Sequence, residues 1–325
     1  MSDVAHATKR LLAARAGLLD LRRLGVVALM ALLVALPLMA GGFLVYSLAL
    51  CFANALAVVS VSFLVRYGGE VSIGHSFFVA LGAYAVAIIE KQFGGSLLLS
   101  LPVAVVLGLA GGVIFAFPSR RLSGIYLAVS TMALALALPE LLVHSDTLTG
   151  GSEGLYVALD LLPGAPKELQ RYYVALAVLT AVCLALAHFR GSRQGLALLM
   201  ARANPRAAEA FGVTRSWARV SVFAISAAIA SIAGALVAFT SSTVSPNSFT
   251  FWSSIFLLVG SVVSLNGLSL QAAVIGGAFL TLAPNYLAGA GDWVPVLYGG
   301  ALVAVTLGVN CAGDLRRVLA RGARR

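Results

Sequence analysis

The stretch "RYGGEVSIGHSFFVALGAY", residues 66–84, sets two adjacent glycines, a glutamate, two serines and a histidine between long apolar segments. The chain around it is 60% hydrophobic and only 10% charged, whereas ordinary soluble domains carry roughly 25% charged residues. Irregular backbone at membrane depth is tolerated where protein covers it or where it lines a cavity. The stretch therefore predicts a broken or tightly packed helix inside an integral membrane protein.

The apolar segments predict an all-α fold, a polytopic membrane helical bundle of about ten transmembrane helices. A helix needs ~20 apolar residues to cross ~30 Å of hydrocarbon, and the strict alternation of barrel strands is missing from the sequence. Segments 71–89 and 251–265 are the weakest, since the first contains polar residues and the second is short. The segments fall at about 24–40, 43–65, 71–89, 97–118, 124–143, 172–188, 220–241, 251–265, 268–288 and 293–310.

The basic residues predict how the bundle is oriented. If all segments span and the N-terminus is cytoplasmic, the cytoplasmic side holds all of the 22 lysines and arginines except Lys91, Lys167 and Arg171. Such an excess is typical of cytoplasmic loops. Both termini are therefore predicted to be cytoplasmic. The chain then has a basic N-terminal segment (1–23), a retained anchor, followed by a transmembrane domain (24–310) with a large cytoplasmic loop (190–219), and a basic tail (311–325).

Several motifs are missing, and this excludes classes of function. The sequence has neither a Walker-type phosphate-binding loop nor an HExxH or Cys/His cluster for a metal. No Asp, Lys or Arg lies well inside a segment, although ion-driven carriers often keep an ionisable relay there. A membrane-embedded enzyme would need converging reactive groups, and the segments offer only His75 and scattered hydroxyls. A transporter built this way needs an energy source on another chain. Basic residues confined to loops and tails argue against a nucleic-acid partner.

Two local patterns predict contacts. Gly108 and Gly112 have the spacing that lets membrane helices approach closely. Glu70 lies four residues after Arg66, which predicts a local ion pair near the inner surface in preference to a role in transport.

The cytoplasmic loop contains a short helix whose two ends are marked by the sequence "NPRAAEAFG". Asn204 suits the N-cap, Pro205 the first helical position and Gly212 a left-handed C-terminal turn, and Thr214 can cap the next helix. Small residues keep the helix thin, and Phe211 can serve as an apolar anchor. The helix is either a simple interfacial linker or a docking element for another protein. Its residues are Asn204, Pro205, Arg206, Ala207, Ala208, Glu209, Ala210, Phe211 and Gly212.

Five sequence blocks follow one another along the chain: "SIGHSFFVALGAY" (72–84), "RLSGIYLAVSTMALA" (121–135), "LTGGSEGL" (148–155), "GLALLMARANPRAAEAFGV" (195–213) and "VSPNSFTFWSSI" (244–255). In this order they resemble the larger of the two permease subunits of ATP-binding-cassette importers for branched-chain amino acids. The resemblance covers about residues 45–290. The sequence departs from the family at "LSLQAAV" (268–274), where a Gly-Ser-Leu-Trp-Gly-Pro run is common. An acidic residue expected near Leu136 is also missing, with Glu140 one helical turn later.

The resemblance implies a non-enzymatic subunit in the bacterial cytoplasmic membrane, surrounded by lipid. It implies a second permease subunit, two ATPase subunits that bind ATP and magnesium, and a periplasmic or lipid-anchored solute-binding protein. This chain itself would hold no cofactor. Branched-chain amino acids are the leading solutes, and urea, short amides and aromatic or other carboxylates remain open. A self-sufficient secondary carrier is the less favoured alternative.

The resemblance also implies roles for residues outside the loop helix. The candidate pathway residues are Ser72, Gly74, His75, Ser76, Tyr84, Tyr126, Thr131 and Glu140. His75 either contacts solute or is a buried histidine bonded to a neighbouring backbone carbonyl. The outer loop is either an ordinary turn or part of the surface that receives the binding protein, through Thr149, Gly150, Gly151, Ser152 and Glu153.

Overall fold

The computed structural model describes residues 25–39, 41–119, 122, 124–159 and 166–286, with residues 296, 299, 300, 303, 304 and 307. Residues before Tyr46 form a compact unit of their own, and its described helix is α1, Gly25–Leu38. This helix ends in a 3-10 turn that contains Pro37. All contacts described below lie within the second unit, which begins at Tyr46.

In its described residues, the second unit consists of helices and one short pair of strands, and it begins inside the helix α2 (Gly42–Phe63), whose residues 42–45 belong to the first unit. Two of its connections are also helical: a π-turn at Leu64–Gly68 and a 3-10 turn at Pro246–Phe249. The elements are α2 (Gly42–Phe63), α3 (His75–Phe93), α4 (Leu97–Ser119), α5 (Ile125–His144), α6 (Asp146–Thr149), β1 (Leu155–Tyr156), α7 (Lys167–Gly191), α8 (Arg193–Ala203), α9 (Pro205–Ala210), α10 (Arg215–Ser241), β2 (Thr243–Val244), α11 (Phe251–Val263) and α12 (Leu270–Tyr286).

Six of the described helices are long and apolar enough to cross a membrane, namely α2 with its π-turn, α3, α4, α5, α7 and α10. Each apolar segment between 43 and 288 holds a helix, which confirms an all-α membrane bundle. The weak segment at 71–89 becomes helical only from His75. Most of the segment at 293–310 and both terminal segments, 1–23 and 311–325, lie outside the described residues. The number of ten spans and the orientation of the termini stay predictions.

The core is a crossing of α3, α4 and α10 through small residues. A Cβ atom at Gly82 of α3 would collide with the backbone oxygen of Ser231, and one at Gly234 of α10 would collide with that of Val79. On α4, a Cβ at Gly108 would come within 2.8 Å of the Ala227 oxygen. Gly112 also faces α10. The close approach predicted from the Gly108–Gly112 spacing is therefore confirmed, and it places α10 at the centre of the bundle.

The bundle has two distinct ends, because α5 and α10 run in the same direction. Their first residues meet where Glu70 accepts a hydrogen bond from Gly124 N and pairs with Arg219. Just beyond their last residues, β1 and β2 pair with Leu155 opposite Val244. We call the first the basic end (residues 64–70, 122, 124 and 190–219) and the second the strand end (145–158 and 241–249). The loop helix α9 and the "TGGSEGL" loop therefore lie at opposite ends.

Candidate functional site

A break in the helix between α2 and α3 forms the centre of the candidate site. The π-turn ends at Gly69, whose φ of 68° is left-handed, and regular helix resumes only at His75. Ile73 N donates to Thr131 Oγ1 of α5 at 3.0 Å. A Cβ atom at Gly74 would overlap the Thr131 carbonyl. Only glycine permits this contact, so the break is held tightly against α5.

His75, the first residue of α3, is completely buried and hydrogen-bonded to α10. Its Nε2 lies 2.8 Å from Ser226 Oγ, and that hydroxyl donates to the Ser60 carbonyl of α2 at 2.7 Å. A hydroxyl has one proton to give, so Nε2–H must donate and Nδ1 is left as an acceptor. Nδ1 has no hydrogen-bond partner among the described residues. His75 therefore reaches a backbone carbonyl through a serine, and in doing so joins α2, α3 and α10.

Ser76 connects the start of α3 to α11. Its backbone N donates to Ser254 Oγ at 3.0 Å, and Ser254 Oγ donates to Ser76 Oγ at 2.6 Å. Ser254 is fully buried. Ser76 also lines a cavity, so Ser254 fixes the position of one of its polar lining residues.

This cavity of about 190 Å³ lies among α2, α3, α10, α11 and α12. Most of its wall is apolar, and none of the described lining residues is charged. Asn54 lines it and donates to Thr281 Oγ1 at 3.0 Å. Its lining residues are Asn54, Ala57, Ser76, Val79, Val237, Ser248, Phe249, Ser253, Phe256, Leu257, Leu280 and Pro284.

The remaining pathway candidates lie apart from this cluster or at its edge. Ser72 is buried and accepts from Gly74 N at 3.4 Å. Tyr84 is buried beside Phe249, a lining residue of the cavity, with ring centroids 6.2 Å apart. Tyr126 is 72% exposed on α5, and Glu140 is exposed and lies 3.8 Å from His144. The structure therefore gathers Ser72, Gly74, His75, Ser76 and Thr131, and leaves Tyr126 and Glu140 on the outer face of α5.

The predicted pairing of Glu70 with Arg66 is wrong. Glu70 Oε1 lies 2.9 Å from Arg219 NH2 of α10. The π-turn is the reason, because it interrupts the i,i+4 geometry between residues 66 and 70. The Arg66 carbonyl instead accepts a hydrogen bond from Arg202 of α8.

The loop helix α9 has the caps predicted for it. Asn204 Oδ1 accepts from Ala207 N at 3.2 Å, and Gly212 has a φ of 80°. Regular helix ends at Ala210, so Phe211 and Gly212 form the exit turn. Phe211 is 77% exposed, whereas Ala208 is fully buried. Thr214 occupies the N-cap position of α10 without a side-chain hydrogen bond.

The "TGGSEGL" loop at the strand end is held in place by hydrogen bonds and glycine turns. Thr149 Oγ1 lies 2.5 and 2.9 Å from the Leu142 and Ser145 carbonyl oxygens, which share its one proton, and Gly150 and Gly151 both have positive φ. Ser152 and Glu153 are exposed, while Thr149 and Gly151 are buried. A partner at this end would therefore meet Ser152 and Glu153, with the other residues shaping the turn.

Sequence reasoning missed three residues that hold the site together: Ser226, Ser254 and Arg219. The partners they contact are far away in the chain: Ser226 is 151 positions from His75, and Ser254 is 178 positions from Ser76. Single serines in apolar helices carry no local signal of such pairing. Arg219 lay among the arginines assigned to orientation.

These features define a multi-pass membrane protein with an interrupted helix at its core, and the comparisons with known proteins give its family. The model of the family described as branched-chain amino acid transport system / permease component matches residues 43–307. The chain belongs to this family of ATP-binding-cassette transport permeases. No solved structure matches the chain.

Individual relatives agree with the family. The chain is 27% identical over 314 residues to the high-affinity branched-chain amino acid transport system permease protein LivM of Escherichia coli, across 88% of this chain and 73% of that protein. It is 26% identical to the protein of the same name from Salmonella typhimurium, with the same coverage. The probable branched-chain amino acid transport permease protein LivM of Methanocaldococcus jannaschii is 28% identical over 184 residues, which is 54% of this chain and 53% of that protein.

Proposed function

We propose that this chain is a permease subunit of an ATP-driven importer in the bacterial cytoplasmic membrane, and that it forms half of a translocation path for branched-chain amino acids. Its proposed partners are a second permease subunit, two ATPase subunits and a solute-binding protein. ATP and magnesium bind to the ATPase subunits in this scheme. The family and the relatives' names support the transport role.

The observation that carries the proposal is the build of α9 at the basic end. Both of its ends are capped, Ala208 anchors it to the bundle, and Phe211 projects from it with 77% of its surface exposed. Exposed aromatic side chains next to thin, small-residue surfaces are typical anchors of protein interfaces. We infer that α9 enters a groove of an ATPase subunit and that closure of the ATPases moves it.

The cavity supports an amino acid with an aliphatic side chain as the solute. Val79, Val237 and Leu280 offer apolar contacts, and Ser76 and Asn54 offer hydrogen-bonding groups. This wall favours an aliphatic solute over urea, which has no apolar part to bury. A zwitterion held tightly away from water needs charged or multiply hydrogen-bonding partners. The uncharged lining therefore suits brief passage and release, and the binding protein would supply most of the selection.

The test of this function compares Phe211→Ala and Gly212→Val with the parent complex. Loss of an interface anchor costs about 2 kcal/mol or more, and a β-branched residue at the positive φ of Gly212 costs roughly 1–3 kcal/mol. Both variants should insert normally, because the membrane helices are unchanged. We expect weaker co-purification of the ATPase subunits, weaker binding-protein-stimulated hydrolysis and slower uptake.

Phe93→Ala is the matched control for this experiment. Phe93 is 75% exposed, nearly as much as Phe211, but it ends α3, whose C-terminal part lies at the strand end. We expect this variant to behave as the parent in all three measurements. If Phe211→Ala and Gly212→Val also behave as the parent, α9 is a linker and the proposed coupling is wrong.

A further inference from the structure

A largely buried ion pair at the basic end joins three separate segments of the chain. Glu70 Oε1 lies 2.9 Å from Arg219 NH2, and the two side chains are 9% and 12% exposed. Glu70 Oε2 accepts from Gly124 N at 3.3 Å, and Arg219 NH1 donates to the Leu122 carbonyl at 2.6 Å. We call this group (Glu70, Arg219, Gly124 N and Leu122 O) the clamp. It connects the helix break, the α4–α5 connection and the second turn of α10.

A second arginine reaches the same segment from α8. Arg202 donates to the Arg66 carbonyl, and its side chain lies over Gly69, where an added Cβ would come within 3.1 Å of Arg202 Nε. In sequence, α8 directly precedes α9, and α10 follows it after a short turn. The helices on both sides of α9 therefore each hold residues 66–70 through an arginine.

The clamp lies between α9 and the cavity, on the basic-end side of His75 and Ser226. Arg219 and Ser226 are seven residues apart on α10, which corresponds to about 10 Å along a helix. His75 is bonded to Ser226, and Glu70 precedes His75 by five residues. A displacement of Arg219 therefore acts on the Glu70 end of the helix break, while Ser226 and Thr131 hold the end next to His75.

Stability alone gives a weak reason for such a pair. Removal of two charges from water offsets much of their attraction, and apolar residues of similar size often stabilise a fold equally well. What an ion pair adds is a fixed geometry between the segments that it joins. Here it fixes the first residue of the helix break, Glu70, to the second turn of the helix that follows α9.

We propose that Glu70 and Arg219 are positioning residues that transmit the movement of α9 to the helix break before α3. This inference rests on the proposed function, since it assigns a route to the coupling that α9 begins. When α9 moves, Arg219 and Arg202 carry residues 66–70 with them, and the break between Glu70 and His75 changes shape. The hydrogen-bonded wall at Ser76 then changes with it.

The test measures solute molecules imported per ATP hydrolysed, in vesicles that contain the whole importer and its binding protein. A residue with only a structural role changes the amount of active complex, and uptake and hydrolysis then fall together. A transmitting residue changes their ratio. The variant is Glu70→Met with Arg219→Met, which replaces the pair with long, unbranched apolar side chains. We expect the ATPase subunits to co-purify normally and the ratio to fall by about fivefold or more, the lower range of coupling between distant sites.

Glu168→Met is the matched control, because Glu168 is exposed on the first turn of α7, away from the clamp. It should keep the parent ratio. A double variant that assembles and keeps the parent ratio within about twofold overturns the inference, since that lies below typical coupling. If the double variant does not assemble, Arg219→Lys decides by the same criterion, because lysine keeps the charge but loses the fork that spans Glu70 and Leu122.

The same experiment separates the two proposals. If the parent complex itself fails to retain ATPase subunits or to respond to the binding protein, the proposed function is wrong. If the parent complex couples and the clamp variants couple equally well, the proposed function stands and the clamp has no part in it.

Discussion

The helices α10 and α5 run in the same direction and have similar hydropathy, but they are packed very differently. In an apolar stretch of 18 residues, 83% of the residues of α10 are buried, compared with 22% of the residues in such a stretch of α5. Small residues on α10 allow α3 and α4 to approach within contact of its backbone. On α5, Thr131 and Ala135 face the bundle while Tyr126, Leu136 and Leu141 are exposed. Apolar composition therefore predicts that a helix enters the membrane, and the distribution of small residues decides whether it becomes the core.

The largest effect is expected from crowding the crossing of α3 and α10. Gly82→Leu places a side chain against the Ser231 carbonyl, so the two helices must separate along their length. We expect destabilisation of more than about 4 kcal/mol and little monodisperse protein after extraction in detergent. The measurements are yield from size-exclusion chromatography and thermal stability.

Ala133→Leu on α5 is the control for this substitution. It adds the same side chain to a membrane helix at an exposed position, and it should leave yield and stability unchanged. Equal yields of the two variants would show that α10 is no more tightly packed than α5, and the comparison would fail.

A smaller effect is expected at Ser226, through which α10 holds His75. Ser226→Ala leaves His75 Nε2 and the Ser60 carbonyl without their partner in a buried environment. Such a loss costs about 1–3 kcal/mol. In contrast, Ser130 on α5 donates only to the Leu127 carbonyl of its own helix. Ser130→Ala should cost a few tenths of a kcal/mol, within the usual range for surface substitutions. A thermal shift in Ser130→Ala as large as in Ser226→Ala would contradict this reading.

The cavity beside α10 should bind solute weakly. Its described lining residues carry no charge to pair with an amino or carboxylate group. We expect no saturable binding of leucine, isoleucine or valine to the purified membrane complex without its binding protein, measured by titration calorimetry. The binding protein alone serves as the positive control. Tight binding of any of these amino acids to the membrane complex would contradict the prediction.

The last prediction concerns orientation: the strand end should face outward and the basic end should face the cytoplasm. Ser152→Cys marks the strand end, and Ala203→Cys marks the basic end, since both positions are exposed. Cys51 and Cys183 are buried, and Cys311 is replaced by serine in the background. In intact cells an impermeant thiol reagent should label residue 152 and not residue 203. Equal or reversed labelling would refute the predicted orientation.

Local signals in the sequence predicted much of this structure. Hydropathy located the helices between 43 and 288, the Gly108–Gly112 spacing predicted a close crossing, and the caps of α9 followed from Asn204, Pro205 and Gly212. Each of these depends on residues that are neighbours in the chain.

The contacts that assemble the candidate site could not be predicted in the same way. Glu70 has a basic residue at the ordinary helical spacing, but the π-turn separates the two, and the partner found is Arg219 on a distant helix. Ser226 and Ser254 are serines like many others in membrane helices until the fold brings them to His75 and Ser76. Choices among distant partners depend on packing, which one sequence does not reveal.

The central position of α10 also has a consequence for how the protein is made. The glycine faces of α3 and α4 are complete in the growing chain once Ser119 has been added, but their partner ends at Ser241. At 5–20 residues per second, the roughly 120 residues between them take on the order of 10 s to synthesise. Throughout that interval the small-residue faces of α3 and α4 lack the helix that covers them in the folded protein. We therefore expect the rate of translation between α4 and α10 to affect the yield of correctly assembled protein.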